Sequence, residues 1–217
     1  MSQSTALSLH EQTDPPALDL ADARRARIIA AATEAFLEHG YAGATTAMVA
    51  RAARVSKRTV YDHFECKRDL LAAVIRMKQP LLIALPRPPE EDVPVLEGLN
   101  RIFLLDLPPE VQTERIRLLD LILREGLAYP DINAFLYESG VLRMKEPLEV
   151  WLERERARGK IAFDDADAFA TMLLDLVFGA LQPRRRTTHP PGFERQRAEI
   201  LMRLRVFLAG CGEVRLH

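Results

Sequence analysis

Between Thr45 and Lys67 the chain reads TTAMVARAARVSKRTVYDHFECK, two short helical periods with room between them only for a tight turn. Thr45 or Thr46 can cap a first helix carrying Met48, Val49 and Ala52. Arg54-Val55 breaks it, and Ser56 can cap a second that runs to about Phe64. Val60 and Phe64 stand four residues apart and, with Val55, make an apolar stripe able to pack inward. The other faces carry Lys57 above Tyr61, Thr59 above His63 and Arg58 above Asp62, a set of donors that points at a polar partner. A short helix, a tight turn and a second helix with one face buried and the other free is a helix-turn-helix, the arrangement that places its second helix in a DNA major groove.

The rest of the chain is punctuated as helix, which predicts an all-α fold. Residues 1–20, polar and carrying Pro15 and Pro16, read as a disordered arm. Ile28, Ile29, Ala32, Phe36 and Leu37 predict a first helix from near Ala21 to a stop at Gly40. A fourth begins at Lys67, has Leu70, Leu71, Val74 and Ile75 as its apolar face, and extends toward Leu85 before PRPPEEDVP ends it. That proline-rich stretch is the expected boundary between an N-terminal helix-turn-helix domain, 21–85, and a helical domain, 94–217. In the second domain, helices are expected over Val95–Leu107, Glu110–Ala128, Asp131–Arg158, Ala166–Gln182 and Phe193–Ala209, the third kinked near Arg143 because Pro147 falls inside it.

Charge supports the division. Asp22–Lys78 holds eleven Lys/Arg against six Asp/Glu, a net +5, whereas Gln79–His217 holds nineteen against twenty-two, a net −3. A basic head on a near-neutral body suits a polyanion partner, since neutralised phosphates supply much of the affinity for DNA. No apolar run approaches a membrane span and no secretory leader is legible, so a cytoplasmic protein is expected. The two cysteines, Cys66 and Cys211, lie far apart without metal-ligand spacing. No GxSxG, GxxxxGKS, GxGxxG or HExxH occurs, and the five histidines are scattered. No enzyme, no cofactor and no metal is therefore expected. A helix of eight or nine residues is about 13 Å long and reads about four base pairs, so specificity calls for two copies and a dimer.

The run from the first helix through TTAMVARAARVSKRTVYDHFECKRDLL resembles the DNA-binding domain of the tetracycline-repressor (TetR/AcrR) family of bacterial regulators. Gly40-Tyr41, Thr45-Thr46, the alanine-rich second helix, Ser56-Lys57, Tyr61, His63-Phe64 and Lys67 fall in register. The resemblance implies that Thr45 or Thr46 and Lys67 contact phosphates, that Tyr61 and His63 flank the backbone, and that Lys57, Arg58 and Thr59 face base edges. Arg54 departs from it by standing where the family commonly has glycine. LLDLILREGLAYPDINAFLYESG and the amphipathic segment after it resemble the regulatory domain of AcrR-like members. This implies a small-molecule pocket and a dimer interface built from the last two helices.

Those helices carry broad apolar stripes that include Phe169, Met172, Leu173 and Leu176, then Leu201, Leu204 and Leu208; core packing within one chain is the alternative. Asp106 falls on the apolar arc of Leu99, Ile102 and Phe103, where it either selects a cationic ligand or ends the helix in a salt bridge. Phe103, Tyr129, Phe135, Met144 and Trp151 are either pocket walls or plain core. Cys66, at a helix start, is either a redox switch or an inert small residue, and Arg184-Arg185-Arg186 either a second nucleic-acid patch or a loop. The function expected is a repressor, released from a palindromic operator in the nucleoid by a small-molecule effector. The alternatives are an activator, a ligand-independent regulator and, more remotely, a protein-interaction module without DNA.

Overall fold

A computed structural model describes residues 17–181 and 192–213; the arm up to Pro16 and Arg184–Arg186 lie outside the described residues. Among the described residues the protein is helical, without strands. Helix α1 spans Ala17–Gly43, α2 Thr46–Ala52, α3 Lys57–His63 and α4 Lys67–Lys78, which a 3-10 turn, Gln79–Leu81, follows. Then come α5 Val95–Ile102, α6 Pro109–Ala128, α7 Pro130–Glu138, α8 Lys145–Ala157, α9 Ala166–Leu181 and α10 Phe193–Glu213.

Several boundaries differ from the sequence-based expectation. The first helix begins at Ala17, so the last four residues assigned to the arm are helical. It breaks where expected, at Gly40, whose φ of +68° suits glycine, but one more turn follows to Gly43. The fourth helix stops at Lys78, because Pro80 permits only a 3-10 turn there. The fifth stops at Ile102, and Leu104 turns with a φ of +52°.

The single kinked helix expected over Asp131–Arg158 is two helices. Gly140, φ +79°, reverses the chain after α7, and the Val141 N–H reaches back to the Leu136 carbonyl at 3.0 Å, a Schellman closure. Pro147 is then the third residue of α8, inside the first turn, where a missing N–H costs no helical bond. Arg54 makes the same closure between α2 and α3: its φ is +54° and the Val55 N–H donates to the Ala50 carbonyl at 2.9 Å.

Two apolar clusters hold the molecule. The first joins α1 through α4 around Ile28, Phe36, Val49, Val60 and Leu71, and it takes in Leu121, Ile132, Leu136 and Val141 from beyond the proline-rich stretch. Six consecutive residues of α4, Leu70–Ile75, are buried, as expected of a helix enclosed on every side. The second cluster packs α5, α6, α8, α9 and α10 around Leu99, Phe103, Trp151, Leu173 and Leu204. Helices α5 and α8 approach closely at Gly98, where a Cβ would stand 2.5 Å from Trp151 Cζ2.

Candidate nucleic-acid interface

Each end of the helix-turn-helix is tied down by its own residues. Thr45 Oγ1 accepts the Met48 N–H at 3.2 Å to start α2, and Ser56 Oγ accepts the Thr59 N–H at 3.0 Å to start α3. Arg27 donates to the Ala53 carbonyl at 2.7 Å, pinning α1 to the end of α2. Val60 and Phe64 are buried, and the Arg25 guanidinium lies 5.2 Å from the centre of the Phe64 ring.

With Val60 inward, Lys57, Arg58, Tyr61 and Asp62 stand exposed along α3, and Thr59 and His63 are half-buried at its flanks. The hydroxyls of Tyr61 and Thr46 lie 3.3 Å apart, which brings the start of α2 alongside α3. The sequence-predicted set Thr45, Thr46, Ser56, Lys57, Arg58, Thr59, Tyr61 and His63 therefore shares one region of the head. Thr45 and Ser56 spend their hydroxyls on helix capping, and the Thr59 hydroxyl is 2.8 Å from that of Ser56.

Lys67 is placed differently from the expected phosphate contact. Its ammonium donates to the carbonyls of Tyr41 at 2.6 Å and Ala44 at 3.1 Å and sits 4.3 Å from the centre of the Tyr41 ring. The break at Gly40 leaves these carbonyls without helical partners, and a cation at a helix C-terminus is the natural group to take them. Cys66, beside it, donates its S–H to Asp69 Oδ2 at 3.2 Å.

Residues 28–74 match the model of bacterial regulatory proteins of the tetR family, and residues 109–211 match that of the AefR-like transcriptional repressor C-terminal domain. The chain belongs to the TetR family of bacterial regulators. It is a DNA-binding transcriptional regulator and not an enzyme; members of its family dimerise and respond to effector ligands.

This TetR-family chain is 28% identical over 158 residues to the HTH-type transcriptional regulator UidR of Escherichia coli, covering 72% of itself and 79% of that protein. It is 32% identical over 110 residues to the HTH-type transcriptional repressor SCO4008 of Streptomyces coelicolor, covering 50% of itself and 52% of that protein. Its fold matches Salmonella enterica GusR with a TM-score of 0.69 at 24% identity, over 93% of this chain and 98% of that one.

Apart from Asp106, the expected pocket residues of this TetR-family protein are divided between the two apolar clusters. Tyr129 meets Tyr41 edge-on at 5.9 Å and Phe135 lies under the Arg68 guanidinium at 4.4 Å, both against the head. Phe103 is buried against Phe178, Trp151 is buried over Gly98, and Met144 packs on the second cluster. Only Asp106 lines the cavity of about 170 Å3 bounded by Leu105, Gln112, Leu181 and Ile200. It sits there because α5 ends four residues earlier, which removes it from the apolar arc. Half-exposed, it pairs with Arg197 and accepts from Asn100, and that hydrogen bond first, then the guanidinium, holds its carboxyl below the usual range.

The dimer stripe also divides. Phe169, Leu173 and Leu204 are buried within the protomer, so they belong to its own core. Met172, 48% exposed, faces outward; Leu176, Leu201 and Leu208 are half-buried. The outer face gains two residues that the sequence reading missed, Met202 and Val206, 52% and 65% exposed. Their signal was present: they lie one turn apart, offset by two positions from buried Ile200 and Leu204.

Proposed function

We propose that this chain is a homodimeric repressor that leaves a palindromic operator when a small-molecule effector enters its body. In this reading Lys57, Arg58 and Thr59 address base edges, and Thr46, Tyr61 and His63 address the phosphate backbone. Thr45 and Ser56 position those groups by capping, and Lys67 holds the end of α1. Met172, Leu176, Met202 and Val206 form the centre of the contact between copies. The working division is a head over 21–85 and a body over 94–217, acting on the nucleoid in the cytoplasm.

The observation that carries the reading is the exposure of Lys57, Arg58 and Tyr61 on a helix anchored by buried Val60. A seven-residue α3 reads too few base pairs to be selective alone, which favours two copies on two half-sites. An effector that reorients α4 or α6 would change the spacing of the two recognition helices, a shift between two populations. A structure 26% identical to this chain, with a TM-score of 0.59, is described as the flavonoid-responsive regulator FrrA, which supports a small-molecule trigger here.

Site selection from random duplex DNA tests the reading. Wild type should enrich a palindrome, and Tyr61→Ala and Lys57→Ala should weaken the enrichment. Absence of any enriched sequence at low salt would overturn it. Linkage supplies a second check: an effector that weakens operator binding must itself bind less tightly to the DNA complex.

A further inference from the structure

Helices α9 and α10 lie antiparallel. Gln196 Nε2, near the start of α10, donates to the Ala180 carbonyl near the end of α9 at 3.0 Å, and at the opposite end the rings of Phe169 and Phe207 have centres 4.8 Å apart. Phe169, Leu173 and Val177 of α9 and Ile200 and Leu204 of α10 are buried in the protomer, so each helix turns a second arc outward. The two outer arcs carry one pattern. On α9 it is Ala168, Met172, Asp175, Leu176 and Gly179; on α10 it is Ala198, Met202, Arg205, Val206 and Ala209. The spacing is the same on both, i, i+4, i+7, i+8 and i+11, which keeps the five positions on one face of a helix. All are exposed except Leu176, which is half-buried.

The arcs differ in the sign of their one charge. Asp175 stands where α10 has Arg205, and among the described residues neither side chain has an ion pair. The other four positions of each arc are small or apolar, and a Cβ at Gly179 would meet nothing within 4 Å. Covering such a face takes water from both charges, which is costly unless each meets an opposite charge. Packing α9 on its own copy would set aspartate against aspartate and arginine against arginine, whereas packing α9 on the partner's α10 sets unlike charges together. Because Ala180 lies beside Gln196 and Phe169 beside Phe207, Asp175 is level with Leu201, one helical turn from Arg205. A two-fold axis running along the paired helices keeps that level between copies, and an arginine side chain reaches across a turn of about 5.4 Å.

We propose that two reciprocal ion pairs, Asp175 of one protomer with the partner subunit's Arg205 and the converse, select a second copy of this chain and set the register in which α9 lies on the partner's α10. The proposal rests on the reading of the chain as a homodimer and adds the residues by which one copy recognises another.

Sedimentation of the full-length protein at physiological salt tests it. Asp175→Arg and Arg205→Asp, each at an exposed position, should each weaken the dimer by at least about tenfold, because either change makes both pairs repulsive. An equimolar mixture of the two variants should dimerise again, since a heterodimer of them restores both attractions. The doubly reversed chain, Asp175→Arg with Arg205→Asp, should dimerise as wild type does. Arg117→Asp, exposed on α6, changes the net charge as Arg205→Asp does and should not rescue Asp175→Arg. Single variants that dimerise as tightly as wild type would overturn the proposal. So would a mixture that stays monomeric, or rescue by Arg117→Asp, which would assign the effect to net charge. A wild-type protein that is itself a monomer would remove the homodimer reading, whereas a dimer indifferent to both reversals would remove only these pairs.

Discussion

The carboxylate of Glu125, on α6, accepts the main-chain N–H of Tyr41 at 3.0 Å and so fastens the body to the bend that ends α1. From the other side Lys67 takes the Tyr41 and Ala44 carbonyls. Gly40 makes the approach possible: besides its left-handed φ, a Cβ there would stand 2.9 Å from Glu125 Oε1. The segment between the first two helices of the head is thus held by a body helix on one side and by α4 on the other. Body helix α6 therefore contacts the bend that leads to the start of α2.

Removing the acceptor tests that attachment. Glu125→Leu leaves the part-buried Tyr41 N–H without its charged acceptor and should cost about 1–3 kcal/mol in urea denaturation. Glu125→Gln keeps an acceptor oxygen and should recover most of that stability. Equal losses in the two variants would show that the bond contributes nothing specific.

The turn of the helix-turn-helix stores strain at Arg54, which occupies a left-handed conformation that favours glycine. Arg54→Gly should relieve up to about 1 kcal/mol. For a chain of this length that corresponds to a rise in Tm of about 2–4 °C, readable by calorimetry. An unchanged or lower Tm would mean that the greater freedom of glycine in the unfolded chain offsets the relief.

Tyr61 is exposed, with its hydroxyl set against Thr46. Tyr61→Phe should leave stability within about 0.5 kcal/mol of wild type. Operator affinity, read by fluorescence anisotropy, should fall by about two- to tenfold, the worth of one hydrogen bond. Undiminished affinity would remove Tyr61 from the contact with DNA.

On α10 two neighbouring positions should behave oppositely. Val206→Glu places a charge on the exposed face and should shift sedimentation from dimer to monomer while the fold persists. Leu204→Ala opens a cavity in the protomer core and should cost about 2–5 kcal/mol of stability. A Val206→Glu protein that still sediments as a dimer would place the contact between copies elsewhere.

The proline-rich strap between head and body carries an acid-labile group. Glu91, bonded to Arg87 and Arg101, has its pKa lowered from 4.5 to about 2, chiefly by the Arg87 hydrogen bond. A carboxylate with a depressed folded-state pKa contributes stability that is present above about pH 4.5 and lost as pH falls toward 2. Acid unfolding of Glu91→Gln should therefore show a shallower pH dependence across that window. An unchanged curve would assign acid lability to other groups.

What the sequence by itself determined is the local part of this protein. The caps at Thr45 and Ser56, the Val60–Phe64 stripe and the polar faces of α3 all follow from interactions within four residues, which a linear reading can see. The helices of the body were legible for the same reason, except at Leu104, whose left-handed turn ends α5 before Leu107, and where a proline had two meanings. Pro147 breaks a helix in its middle but is welcome in its first turn, and Gly140 decides between them by ending α7 beforehand. Tertiary structure alone decided which apolar arc of α9 and α10 meets its own core and which stays outside, because periodicity shows that an arc is apolar without showing what covers it. It also decided that Lys67 turns to the carbonyls of α1, that Glu125 reaches Tyr41 across 84 positions, and that Arg115 lies buried without a carboxylate partner among the described residues. A charged side chain takes whichever partner the packing brings within about 3 Å, and that partner is fixed only when helices distant in sequence come together.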